Sequence, residues 1–160
     1  GIAHFLDHVF PLIKEVLPDV TISVVGRADH CDVSKWADDK HILFKGFVAD
    51  LNAEYGQSRV AVVPCYDGAG TNIKVLEAMR QKRPCVTTTM GARGYDSIFK
   101  DKVHYLISKS DEEFAENVIH MLTDENANHR ISENASFSVK ENYSRASFYN
   151  VVKEILQSVS

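Results

Sequence analysis

Residues 59–79 read Arg59-Val60-Ala61-Val62-Val63-Pro64-Cys65-Tyr66-Asp67-Gly68-Ala69-Gly70-Thr71-Asn72-Ile73-Lys74-Val75-Leu76-Glu77-Ala78-Met79. The run from Arg59 to Pro64 is continuously apolar after its first residue. That is the pattern of a strand buried on both faces in a parallel sheet, where alternation is lost. A glycine-bearing loop, Cys65 to Gly70, follows it. Apolar residues then recur at helical spacing from about Thr71 to Gln81. Strand, glycine loop and helix in this order make one turn of an α/β fold.

The same reading extends in both directions. Toward the N-terminus, Thr21 to Val25 is a β-branched run closed by Gly26, and His41 to Phe44 is a second short strand. Asp50 to Tyr55 is a short helix. Ile2, Phe5, Leu6, Val9, Ile13 and Val16 mark an opening helix, and Pro11 inside it predicts a kink or break near Phe10. Toward the C-terminus, Pro84 to Thr88 and Val103 to Ile107 are strands. Ser110 and Glu113 form a capping box before a helix. Further helical stripes follow on Ile131, Ala135 and Val139, then on Phe148, Val151, Val152, Ile155 and Leu156. The expected fold is α/β: a doubly wound parallel sheet with C-terminal helices. In such sheets ligands bind beyond the carboxyl ends of the strands, so the loops after Val25, Phe44, Val63 and Thr88 are the ones to inspect.

Composition narrows the classes. The chain has 160 residues, 44% hydrophobic and 25% charged, with a net charge of -4. These are globular averages for one domain, and they argue against disorder. The acidic balance argues against nucleic acid as the main partner, which needs a basic face. Cys31, Cys65 and Cys85 form no CxxC pair, so neither a disulfide framework nor a thiolate zinc site is suggested. Free thiols point to a reducing, cytoplasmic setting. No run approaches the about 18 apolar residues of a membrane span. The chain opens on Gly1 rather than Met and goes almost directly into a periodic apolar segment, as a piece of a longer protein would.

The loop 67–72 has the chemistry of a phosphate cradle. Small residues at Gly68 and Gly70 let backbone approach a ligand, and the following helix start offers free N–H groups and a positive dipole end. Lys74 in the first helical turn opposes that dipole, a cost of a few tenths of a kcal/mol to about 1 that a bound anion reverses. Glu77, one turn deeper, is placed to accept hydrogen bonds from ribose hydroxyls. The competing reading is a glycine turn before an ordinary amphipathic helix. Gly68-Ala69-Gly70 begins like GxGxxG, but the third glycine is replaced by Ile73, and no acid ends the next strand. A dinucleotide site is therefore not expected, and there is no GxxxxGK[ST].

Several stretches together carry a resemblance: Gly46-Phe47-Val48-Ala49-Asp50-Leu51, Val62-Val63-Pro64, Gly68 to Met79, and Gly91-Ala92-Arg93-Gly94. In order and spacing they resemble the C-terminal half of family 4 (group 1) retaining glycosyltransferases of GT-B fold, a Rossmann-like domain. The resemblance covers nearly the whole chain. It implies that the chain is the domain that binds a nucleotide-sugar donor, as part of a two-domain enzyme whose N-terminal domain engages the acceptor. It implies that Gly70, Thr71 and Asn72 offer donors to the diphosphate, with Lys74 near them and Gly68 in the same donor-binding loop, while Asp67 either contacts the donor sugar in place of a family glutamate or is simply solvated. Glu77 would take the ribose, and Phe47 and Val48 would lie near the base. Lys74 and Glu77 are the residues expected to carry the chemistry. No cofactor and no obligatory divalent metal are implied, and the sequence has no Asp-x-Asp pair. The full-length enzyme would work in the cytoplasm, with peripheral association at the inner membrane face left open. The family's first strand and a glycine-containing loop would precede Gly1, leaving the sheet short of an edge or a central strand.

One position departs from the family pattern. Many members carry a glutamate eight residues before the ribose glutamate, where it contacts the donor sugar; here that position is Ala69. Two alternatives therefore stay open: a non-catalytic module that binds a nucleotide or a partner, and a GT-B-type nucleotide-sugar epimerase. Other residues are weighed on their own. Arg27, at a strand end, is placed to reach the donor phosphates or to lie on the surface, and Arg93 has the same two readings. His4 and His8 have metal-compatible helical spacing but no third ligand. Cys65 and Cys85 are expected to be small packed residues. Asp111-Glu112-Glu113 reads as a charge cluster that complements a helix dipole.

Overall fold

Short β-branched segments form the sheets, and the chain between them returns each time through a helix or turn. The computed structural model describes residues 1–26, 32–68 and 70–144, with Ser147 and Tyr149. The strands are β1 (Ile22–Val25), β2 (Ile42–Gly46), β3 (Ala61–Val63), β4 (Cys85–Thr88) and β5 (Leu106–Ser108). All pairings are parallel, as the strand–helix alternation predicts. They fall into two sheets, β1-β2 and β3-β4-β5. The expected single sheet is thus divided between β1 and β3, at the place where a cavity of about 1020 Å³ is lined by both strands.

The register fixes what faces that cavity. Ile22 N–H donates to the His41 carbonyl and Gly26 N–H to the Gly46 carbonyl, so alternate residues of β1 turn toward β2. Ser23 and Val25 turn their backbone groups the other way. On the opposite side Ala61 N–H donates to the Pro84 carbonyl, leaving Val62 turned toward the cavity. By contrast, all of β4 is buried.

The helices are α1 (Ile2–His4), α2 (Phe10–Val16), α3 (Leu51–Gln57), α4 (Ile73–Arg80), α5 (Asp111–Thr123) and α6 (Glu125–Asn142). Between α1 and α2 lies a π-helical turn, Phe5–Val9, whose last bond runs from Phe10 N–H to the Phe5 carbonyl. The kink or break expected near Phe10 takes the form of this irregular turn. The wider turn relieves the clash a proline ring makes with the carbonyl four residues back, and the helix continues through Pro11. Phe5, Phe10, Ile13, Phe114 and Val118 form a core on one face with Val86. Val75, Met79, Tyr95, Phe99 and Tyr105 form a second core on the other, with Cys85. Alternation along β4 sends Cys85 and Val86 to opposite cores.

Two local expectations shift. The last strand starts at Leu106 rather than Val103, because residues 100–105 close a turn in which His104 Nδ1 accepts the Lys100 N–H at 2.9 Å. Ser110 caps α5 by accepting the Glu113 N–H at 3.2 Å. The return bond of Glu113, however, goes to Lys109 N–H at 2.8 Å, one residue before the cap. The stripe over Phe148–Leu156 lies outside the described residues.

Candidate functional site

The loop after β3 changes chain direction over a few residues. Cys65 Sγ donates to the Asp67 carbonyl at 3.2 Å. Gly70 takes φ +93°, a left-handed conformation that side chains disfavour, so glycine is required there. Asn72 is the N-cap of α4: its side-chain oxygen accepts the Lys74 N–H at 3.3 Å, and its carbonyl accepts the Val75 N–H at 3.0 Å. The first turn of α4 therefore points its remaining free N–H groups out of the helix, toward the carboxyl ends of the strands.

Asp67, Asn72, Lys74 and Glu77 all line the large cavity, together with Gly26 and Lys45. Lys74 is exposed and Glu77 half-buried. Glu77 faces Tyr55, whose phenol is pushed up to about 12 first by burial and then by the Glu77 charge. Lys45 is held by Glu54 at 2.6 Å. A helix start, an exposed lysine and a carboxylate one turn deeper thus share one space. That set suits an anion with a hydroxylated group attached: dipole and cation attract the charge, and the carboxylate accepts from hydroxyls.

The other expected residues are placed differently. Gly68 and Thr71 are exposed in the same loop. Phe47 is 85% exposed just after β2, and Val48 beside it is half-buried. Arg27 and Ala69 lie outside the described residues. Arg93 donates through Nη2 to the Gly68 carbonyl at 3.0 Å. The Thr87 hydroxyl donates to the Val63 carbonyl at 2.9 Å and that of Thr88 to the Cys65 carbonyl. Cys85 is fully buried, and burial pushes its thiol up to about 12, far from a nucleophile's range.

Sequence reading missed one cluster. His4 Nε2 lies 2.9 Å from both carboxylate oxygens of Asp111, and Tyr66 donates its hydroxyl to Asp111 at 3.4 Å. The rings of His4 and Tyr66 are 4.4 Å apart. Asp111, read as part of a dipole cluster, thus ties the first turn of the chain to the loop after β3. The rings of His4 and His8 are tilted against each other with centres 4.5 Å apart, and among the described residues no group of three candidate ligands could hold a metal ion. Nothing in local sequence links positions 4, 66 and 111. Also among the described residues, no helix is long and apolar enough to cross a membrane.

Known proteins resemble this chain in sequence or in fold. A 44.6 kDa protein in the cps region of Klebsiella pneumoniae is 24% identical across 96% of this chain, which spans 42% of that protein. The crystal structure of Anabaena Alr3699/HepE in complex with UDP matches with a TM-score of 0.78 at 17% identity, covering 95% of this chain and 44% of that one. The C-terminal domain of a group 1 glycosyl transferase, LpcC, from Francisella tularensis matches with a TM-score of 0.67 at 25% identity, covering 87% of this chain and 80% of that domain. The chain thus spans less than half the length of the first two. The family model for group 1 glycosyl transferases matches residues 1–124, and the chain belongs to that family.

Proposed function

We propose that this chain is the donor-binding half of a retaining glycosyltransferase that moves a sugar from a nucleoside diphosphate to an acceptor held by the rest of a longer protein. The observation that carries the reading is the convergence of Asn72, Lys74 and Glu77 on one cavity at the start of α4. UDP bound by the Anabaena structure supports it. Breaking the anomeric C–O bond leaves the electron pair on the departing diphosphate. Fixed N–H groups at the α4 start and Lys74 stabilise that charge without reorganising. Glu77 holds the ribose. Gly68, Gly70 and Thr71 supply backbone and hydroxyl donors from the loop, and Phe47 and Val48 border the base. The charge is met by protein groups, so turnover is expected to survive chelators of divalent metals.

Titration calorimetry of the full-length protein with UDP, GDP and ADP tests the reading. Binding of one of them, weakened in Lys74→Ala, is the expected result. No binding at millimolar nucleotide overturns it. Ala69 in place of the usual acid favours a second reading, a non-catalytic nucleotide-binding module. Sugar turnover that is lost in Glu77→Ala removes that alternative, and an epimerised donor as sole product would replace transfer with epimerisation. The cps-region relative makes polysaccharide biosynthesis the proposed setting, with the full-length protein working in the cytoplasm or against the inner membrane face.

A further inference from the structure

We propose that Arg93-Gly94-Tyr95 is a positioning element that presets the loop 65–72 for a diphosphate before any ligand arrives. The inference rests on the donor-site reading above and adds residues to it. Three consecutive residues touch the loop at three successive points. Arg93 Nη2 donates to the Gly68 carbonyl at 3.0 Å. Gly94, at φ +87°, lies so close to Thr71 that a Cβ there would stand 3.1 Å from its hydroxyl oxygen. Tyr95 donates its hydroxyl to the Asn72 carbonyl at 2.8 Å.

The loop needs such support. Gly68 and Gly70 both carry positive φ, where glycine has the widest conformational freedom to lose. A loop ordered only on binding charges its entropy against affinity, and one held in advance does not. The support is itself rigid. Ala92 N–H donates to the Thr88 carbonyl at 3.0 Å, which joins the tripeptide to the end of β4. Tyr95 is 0% exposed and packs on Phe99 with ring centres 5.7 Å apart. The Tyr95 hydroxyl bonds the carbonyl of the residue that caps α4, so it sets where the helix starts. Tyr95 is sealed from solvent and reaches a ligand only through Asn72, which makes it a positioning residue.

The test uses full-length protein carrying Tyr95→Phe, or Arg93→Ala at the exposed position should the buried change disturb folding. Amide exchange of Gly68, Gly70 and Thr71 without ligand is expected to speed up at least about tenfold in either variant. The affinities for UDP and for uridine are then compared. UDP is expected to weaken about five- to tenfold while uridine is unchanged, because only the diphosphate meets the loop. Unchanged loop exchange in a folded variant overturns the proposal. Equal weakening of UDP and uridine also overturns it, since that marks a general structural role. A wild-type protein that binds neither compound ends the donor-site reading alone, and the exchange measurement still decides whether the tripeptide holds the loop.

Discussion

The two sheets of this molecule are built from similar residues and protected very differently. In β3-β4-β5, the middle strand has a hydrogen-bonded neighbour on each side and a core on each face, and every residue of Cys85–Thr88 is buried. In β1-β2, each strand has one bonded neighbour among the described residues. Ile22, Val24 and Val25 are only partly covered, and Ser23 is exposed. Isoleucine and valine make up a similar share of both, four of nine residues in β1-β2 and four of ten in β3-β4-β5, so strand-forming tendency does not separate them. The number of neighbours does. The candidate site lies where the two regimes meet, with Asn72 and Lys74 rooted in the well-packed side and Gly26 contributed by the other.

The comparison can be broken at its strong side first. Phe99 is 1% exposed and packs against Tyr95, Tyr105 and Tyr143. Phe99→Ala is expected to cost about 3–5 kcal/mol, a large part of an ordinary domain's about 5–15. Val24→Ala in β1 is expected to cost about 1 kcal/mol or less, since its site is already half open. Thermal unfolding of the two variants reads the difference, and equal losses would erase the distinction.

Amide exchange sharpens the same contrast one step down. In the 160-residue chain, the amides of Ser23, Val25 and Val62 are expected to exchange at least about 100-fold faster than those of Val86 and Thr87. At the junction of the two sheets, Lys74→Ala is expected to weaken nucleotide binding about tenfold, the size of one charge-assisted hydrogen bond. Calorimetry checks it.

The smallest effect is on the β1-β2 side. Lys14 bonds Asp39 at 2.6 Å, and this bond first, then the His41 N–H, holds the Asp39 carboxyl below its ordinary value of 3.8. A lowered carboxyl contributes stability that is present above 3.8 and is lost as pH falls through the lower folded value. The pair is partly solvated, so its worth is about 0.2–1 kcal/mol. Asp39→Asn should therefore lower the melting temperature slightly at pH 7 and leave it unchanged near pH 2. An equal drop at both pH values would show that the charge is not the cause.

The fold was legible wherever a local pattern had only one outlet. The apolar run before Pro64 had to be a buried strand. Glycines before a helical stripe had to make a βα turn, and the structure puts Asn72, Lys74 and Glu77 in a common cavity as that turn requires. What stayed hidden depends on partners far along the chain. Arg93 was read as a surface or phosphate-facing residue, and it bonds a carbonyl 25 residues away. Tyr95 gave no signal at all, since a tyrosine in a turn has no periodic pattern to betray its burial. The cluster of His4, Tyr66 and Asp111 is invisible for the same reason. Pro11 was recognised as an obstacle, but the chain's answer to it, one wider turn, is chosen by the packing of Phe5 and Phe10 in the core.

The divided sheet has a consequence for handling the protein. Among the described residues, β1 and β3 each leave one edge without a strand partner, and such edges form a template for any extended polypeptide of suitable length. A second molecule can offer such a segment as readily as a first. Preparations of this 160-residue chain should therefore cloud with rising concentration and clear on dilution, and their yield in an expression host should follow that seam as well as the two hydrophobic cores.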